Sequence, residues 1–383
     1  MNIKALRTIF VVLLASILLV TPTKAGSTIV WQAASTGLPA GGFMKDIAIG
    51  DFNNDGKLDL ITAGTNGIIV SQGNGAGDWN MVGFSSGLPT VGQYGHVAVA
   101  DFNQDGKLDI AATQIVGSEA VGAWVGDGAG NWAAWTGLPT GAFEGLVFSD
   151  VDKNGSPDLI LGSGGSPISG IRVYLNTGSG FTETTPITAT GQYDDLAASY
   201  VDNDGYIDIA AAGASGIRFW RGNLSGWTES SSGLPAALSY RGIALGDIDR
   251  DGKPDLLTSR MFQVNILDGG IFIYEYDPVA NQWSLGPHQI PITGSYYKLQ
   301  LTDLDQDGWP DLVASGNSTI ITPGVNIWLG SAAGFTAGPP PTATAYKARV
   351  DVGDFDHNGL PDLAANGIGA KAWANIGIQD PIR

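Results

Sequence analysis

The sequence predicts an all-β fold, a seven-bladed β-propeller with four-stranded blades, on three observations. A nine-residue acidic phrase recurs seven times at an average spacing of about 50 residues. The stretches around each copy alternate apolar and polar residues between Gly, Asn and Ser, which is the period of half-buried strands. A Gly-Leu-Pro phrase that follows a tryptophan in three repeats also stands near the N-terminus, with no repeat before it.

The chain opens on a segment apart from this pattern. Lys4 and Arg7 form a basic head, residues 9–20 are almost wholly apolar, and Thr23-Lys24-Ala25 offers small residues to a signal peptidase. The apolar run is too short to span a bilayer comfortably. Residues 1–25 therefore read as a secretory signal peptide cleaved near Ala25, and residues 26–383 as one propeller domain, extracellular or periplasmic. The chain has no cysteine, so neither a disulfide nor a lipid-bearing N-terminal Cys is available, and something else must tie down its loops. Glycine supplies 56 of 383 residues, as a fold of turns and short strands requires, and the net charge of −18 excludes a nucleic-acid footprint.

Each repeat divides into four strands. An alternating stretch precedes the acidic phrase, as at 97–100, and a second follows it, as at 58–62. A third has an aromatic or aliphatic core, as at 171–175, and a fourth starts at Trp79, Trp132, Phe181, Trp227, Trp283 or Phe335. Trp31 followed by Gly37-Leu38-Pro39 has the form of a fourth strand, while the last repeat ends near Trp373 and Asn375 without one. The N-terminal strand is thus expected to complete the last blade, which removes the open sheet edges.

The acidic phrase sets oxygen ligands at positions 1, 3, 5 and 9, a Gly at 6 and a carbonyl at 7, an array suited to a hard cation such as Ca²⁺. One copy would be an ordinary Asx-rich turn; seven in register argue for metal. The first two loops offer Asp51, Asn53, Asp55, Lys57 and Asp59, then Asp101, Asn103, Asp105, Lys107 and Asp109. The third offers Asp150, Asp152, Asn154, Ser156 and Asp158, and the fourth Asp202, Asp204, Tyr206 and Asp208, with Tyr200 in place of the first ligand. The fifth and sixth are fullest, with Asp247, Asp249, Asp251, Lys253 and Asp255, and with Asp303, Asp305, Asp307, Trp309 and Asp311. The seventh has Asp354, Asp356, Asn358, Leu360 and Asp362. These loops hold 23 of the 37 acidic residues, so the net charge reads as a set of metal sites rather than a general acidic face. Up to seven ions are expected, the fourth site being the doubtful one.

With these phrases the chain resembles the FG-GAP/VCBS repeat family, which includes the propeller of integrin α chains, over essentially all of residues 26–383. The run Tyr94-Gly95-His96-Val97-Ala98-Val99-Ala100-Asp101 is similar to the family's Phe-Gly strand entering its calcium loop. Leu60-Ile61-Thr62-Ala63-Gly64 is similar to the strand that ends in its Gly-Ala-Pro phrase, without the Pro. The resemblance implies calcium held by the loop residues named above, on one face of the ring. It also implies extracellular recognition of glycan or protein, without nucleic acid or membrane insertion; a monomer is expected.

Catalytic motifs are missing from the sequence. The three histidines, His96, His288 and His357, fall in different repeats, and no nucleophile elbow, zinc-binding helix or phosphate loop occurs. The acids left over include Asp46, Glu144, Asp194 and Asp195; with Arg241 or Lys298 as a basic residue, a calcium-dependent polysaccharide lyase is the enzyme alternative. An aromatic sits seven or eight residues before each loop, at Phe43, Tyr94, Phe143, Tyr193, Tyr240, Tyr296 and Tyr346. These either pack between blades or form platforms for a ligand. Their neighbours Glu144, Asp194, Arg241, Tyr297, Lys298 and His96 differ from blade to blade, which places a ligand at that end of the channel. The longer hairpin at Arg260, Met261 and Phe262 is expected to border the same face.

Overall fold

The computed structural model describes residues 28–379, apart from 117–120, 166–168, 189, 203, 262–268, 291–293, 317–323 and 342–346. The signal-peptide segment, Phe262 and Tyr346 lie outside the described residues. Seven sheets of four antiparallel strands follow one another along the chain, and no helix occurs among the described residues. In six blades the strands are consecutive, running from the inner strand to the outer one. The seventh takes Lys347–Gly353, Asp362–Gly367 and Gly369–Gln379 from the C-terminal end and Thr28–Ala33 from the N-terminal end. Trp31 pairs with Asn375 and Ala33 with Trp373, so the ring closes as the sequence implied.

The second strand of a blade is covered on both faces. Asp59–Gly64, Asp158–Ser163, Asp208–Gly213, Asp311–Gly316 and Asp362–Gly367 are buried at every position. This is why these segments are continuous runs of small and branched apolar residues rather than alternating ones. The core lies between blades. Phe52, Ile61, Ala63, Ile68 and Val70 of the first blade pack against Tyr94, Val97, Ile110, Trp124 and Trp132 of the second. The aromatic after a loop's first Asp meets the fourth-strand tryptophan of the next blade: Phe52 lies 6.0 Å from Trp132, and Phe355 lies 5.3 Å from Trp79 across the closure.

The Gly-Leu-Pro phrase is a joint between blades. Gly37, Gly87 and Gly233 adopt φ of 87°, 91° and 89°. A Cβ on Gly37 would lie 1.8 Å from the Trp79 carbonyl oxygen, so both the angle and the contact require glycine. The Leu is buried at Leu38, Leu88 and Leu234. The Pro carbonyl accepts an amide near the start of a third strand, as from Ile68 to Pro89 and from Ile217 to Pro235, each at 2.9 Å.

Candidate functional site

Two groups of polar residues face the two ends of the channel, because the inner strand carries one at its start and the other at its end. At its end stand the acidic loops. In the first, the Asp51 carboxylate accepts the amides of Asp55 and Gly56 at 3.1 and 2.9 Å. Asn53 accepts the amide of Asp55, and Asp55 that of Lys57, both at 2.9 Å. The ninth residue, Asp59, is fully buried and accepts the amides of Phe52 and Gly73, which ties the loop to the third strand. The first-position pattern recurs at Asp101, Asp150, Asp247, Asp303 and Asp354. The amides orient the carboxylates inward and leave oxygen lone pairs free for a further partner.

Four loops bring three carboxylates within 4.8 Å of one another: Asp150, Asp152 and Asp158; Asp247, Asp249 and Asp251; Asp303, Asp305 and Asp311; Asp354, Asp356 and Asp362. A donor set made only of oxygens, drawn together against its own repulsion, fits a hard cation. Burial, reinforced by the neighbouring carboxylates, pushes the ninth-position acids up: Asp59, Asp109, Asp255, Asp311 and Asp362 to about 7, and Asp158 and Asp208 to about 6.

The loops also touch one another, a feature the sequence reading missed. The residue at position 4 takes positive φ, at Asn54, Gln104, Lys153, Arg250, Gln306 and His357, and its side chain can therefore reach sideways. Asn54 donates to the Gly106 carbonyl at 2.9 Å, and Gln306 to that of Gly359. The Lys153 ammonium lies 3.4 Å from the centre of the Tyr206 ring, and Arg250 5.1 Å from that of Trp309. The available signal was the polar or basic residue filling position 4 in every copy.

At the start of the inner strands lies the channel mouth. The sequence reading of the aromatics as ligand platforms needs correction. Tyr94, Phe143, Tyr193, Tyr240 and Tyr296 are buried between blades. Tyr94, Tyr193 and Tyr296 meet Trp124, Trp220 and Trp328 edge-on at 6.0, 5.8 and 5.9 Å. In the first blade this place belongs to Met44, which is fully buried, while Phe43 is 38% exposed and lies outside the ring.

The residues after the aromatics do reach the mouth. A register shift in the inner strand follows Met44, Tyr94, Phe143, Tyr240 and Tyr296, and it breaks the strict alternation of faces. Arg241 lies 3.0 Å from Asp194 and 3.7 Å from Glu144. Its Nε also lies 3.0 Å from the Met261 sulfur, so the hairpin at Arg260 and Met261 borders this face as expected. Burial pushes Asp194 up to about 6, with Arg241 opposing.

Deeper in the channel lies a residue that the sequence reading did not single out. Arg349 is 7% exposed, and its guanidinium donates to Asp195 at 3.2 Å and to Nε2 of His96 at 2.8 Å. Burial and the Arg349 charge hold His96 well below its ordinary range, so the ring is neutral and accepts at Nε2. Lys298 reaches Asp195 at 3.9 Å, and Asp46 lies 3.9 Å from His96 Nδ1. The channel acids also join successive blades: Asp46 accepts the amide of Val97, Asp195 that of Ile243, and Asp351 that of Ile49. The signal was present in the sequence. Asp46, His96, Asp195, Lys298 and Arg349 all stand five residues before their loop's first position.

Replacing Arg349 by Met is expected to cost about 3–5 kcal/mol in chemical denaturation, because it leaves Asp195 and Asp46 buried without their counter-charge. Lys298→Met should cost less, about 1 kcal/mol, because the lysine is half-exposed, its contact with Asp195 is long at 3.9 Å, and Arg349 still faces that acid. Equal losses would remove Arg349 from the centre of the network.

The fold and the loops define a class: a seven-bladed β-propeller that carries FG-GAP-like repeats. Residues 51–112, 200–258 and 303–365 match the FG-GAP-like repeat family, each match running from one acidic loop through the next. No curated protein matches the chain. Among solved structures, a lectin of Agrocybe aegerita, described for specific recognition of non-reducing terminal N-acetylglucosamine, is similar at a TM-score of 0.52 and 17% identity. The likeness covers 92% of this chain and 93% of the lectin and shows a shared fold.

Proposed function

We propose that this protein is a secreted, calcium-stabilised propeller that binds carbohydrate at the channel mouth. The observation that carries the reading is the set of unlike polar side chains that successive blades bring together at one end of the channel: Glu144, Asp194, Arg241 and, deeper, Lys298, whose neighbour in sequence is Tyr297. A packing role repeated in each blade would call for like residues, whereas recognition of an asymmetric, hydroxyl-rich ligand calls for unlike ones. The lectin that shares the fold supports a glycan over a protein as ligand. Oxygen-only loops support calcium, and the N-terminal segment supports secretion.

Binding is favoured over lyase chemistry by distance. Arg241 and the first ligand of its own loop, Asp247, stand six residues apart on one extended strand, about 20 Å. An ion in that loop is too far away to polarise a group held at Arg241.

A glycan array probed with the calcium-loaded protein tests the reading. Tyr297→Ala combined with Arg241→Ala should weaken the best glycan signal at least tenfold and leave the calcium-dependent rise in melting temperature intact. Undiminished binding would move the site to the grooves between blades, such as the cavity of about 330 Å³ lined by Leu138, Pro139, Arg172, Tyr174 and Glu183. Capture of a protein with no glycan signal would favour an adhesion module.

A further inference from the structure

The fourth acidic loop departs from the other six, and its surroundings depart with it. Tyr200 stands at position 1 and has no carboxylate to offer to an ion or to the amides of Asp204 and Gly205. In the same blade, one strand away, Arg221 points into the loop. Its Nε lies 3.2 Å from Oδ2 of Asp202, the third-position acid.

We propose that the Arg221 guanidinium is the resident cation of the fourth loop, which therefore closes without a metal ion while its neighbours take one. This rests on the calcium reading of the other loops. Three observations carry it. The first is register. Arg221 occupies the third-strand position beside the ninth-position acid Asp208. The other six blades carry Gln72, Val125, Leu175, Glu275, Leu329 and Ala374 there. A cation stands at this position only in the blade whose first ligand is lost.

The second is fixation. Nη1 of Arg221 donates to the Tyr276 hydroxyl of the fifth blade at 3.3 Å, and that hydroxyl donates to Asn281 at 2.6 Å. The guanidinium is thus held between two blades, with Asp202 largely buried beside it. The third is the neighbouring loop. Lys153 brings a second positive charge to the fourth loop by lying over the Tyr206 ring. A divalent ion among Asp202, Asp204 and Asp208 would meet a fixed guanidinium against one of its ligands and a lysine at its edge, and would lack its first carboxylate.

A guanidinium and a calcium ion do the same structural work here, neutralising the acids and tying loop to strand, but only the ion can be removed by a chelator. Arg221→Gln is therefore expected to lower the Tm of the full chain by several degrees, and by the same amount in excess chelator and in saturating calcium. Tyr200→Asp combined with Arg221→Gln restores the first ligand and removes the fixed charge. By equilibrium dialysis it should bind one calcium ion more per chain than the wild type. Seven ions on the wild-type chain, or an Arg221→Gln loss that saturating calcium repairs, would overturn the proposal. No bound ion on either chain would overturn the calcium reading itself, and the proposal with it.

Discussion

A chain lacking residues 26–40 is expected to lose its cooperative melt and to aggregate. The missing segment is the outer strand of the seventh blade, and its loss leaves Gly369–Gln379 with an unpaired edge, an open template for another chain. It also strips the joints on either side. Trp31 donates its indole N–H to the Pro339 carbonyl at 2.8 Å, and Ala34 accepts that of Trp79 at 2.8 Å. Ile29 and Leu38 are buried, and each contributes about 1.5–3 kcal/mol of apolar burial. Against a total stability of about 5–15 kcal/mol, these losses together exceed what a ring can spare. A soluble truncated chain that melts cooperatively within a few degrees of the full one would show the strand to be dispensable.

Chelation should destabilise the protein by a comparable margin, most strongly at alkaline pH. An ion that binds only the native state at about a thousand times its Kd adds about 4 kcal/mol, so a few occupied loops equal the whole stability of a typical domain. The sign of the pH effect follows from the ninth-position acids, whose carboxyls are pushed up to about 7 at Asp59, Asp109, Asp255, Asp311 and Asp362. Their folded-state values lie above the unfolded one, so their contribution is full below about pH 4 and is lost as pH rises through about 7. The metal-free protein should therefore melt higher at pH 5 than at pH 8. Calcium requires the ionised acids and should reverse that order. Melting curves at both pH values, with chelator and with calcium, read all four states. Asp305→Ala should reduce the gain from calcium, and identical melts in chelator and calcium at pH 8 would remove metal from the account.

Much of this molecule could be read from one chain because the chain repeats itself. Seven copies of one loop fix the acidic positions, the glycine at position 6 and the strand boundaries, since each blade solves the same packing problem. The unpaired Trp31 phrase showed the closure, because a sheet edge must be covered wherever its partner lies in sequence. The sequence likewise marked the fourth loop as the odd one, through Tyr200.

Other features depended on the ring. Arg349 and Asp195 stand 154 residues apart, and only closure brings the seventh blade across the channel to the fourth. Whether Tyr94 or Tyr296 faces a ligand or the core is decided by packing against Trp124 and Trp328, of which composition carries no trace. Arg221 in isolation is one charged residue on a strand; its meaning depends on standing opposite the acid of a loop that has Tyr200 in place of its first Asp. Repetition along the chain reports what each blade must do alone, whereas contacts between unlike residues of different blades exist only once the ring has closed.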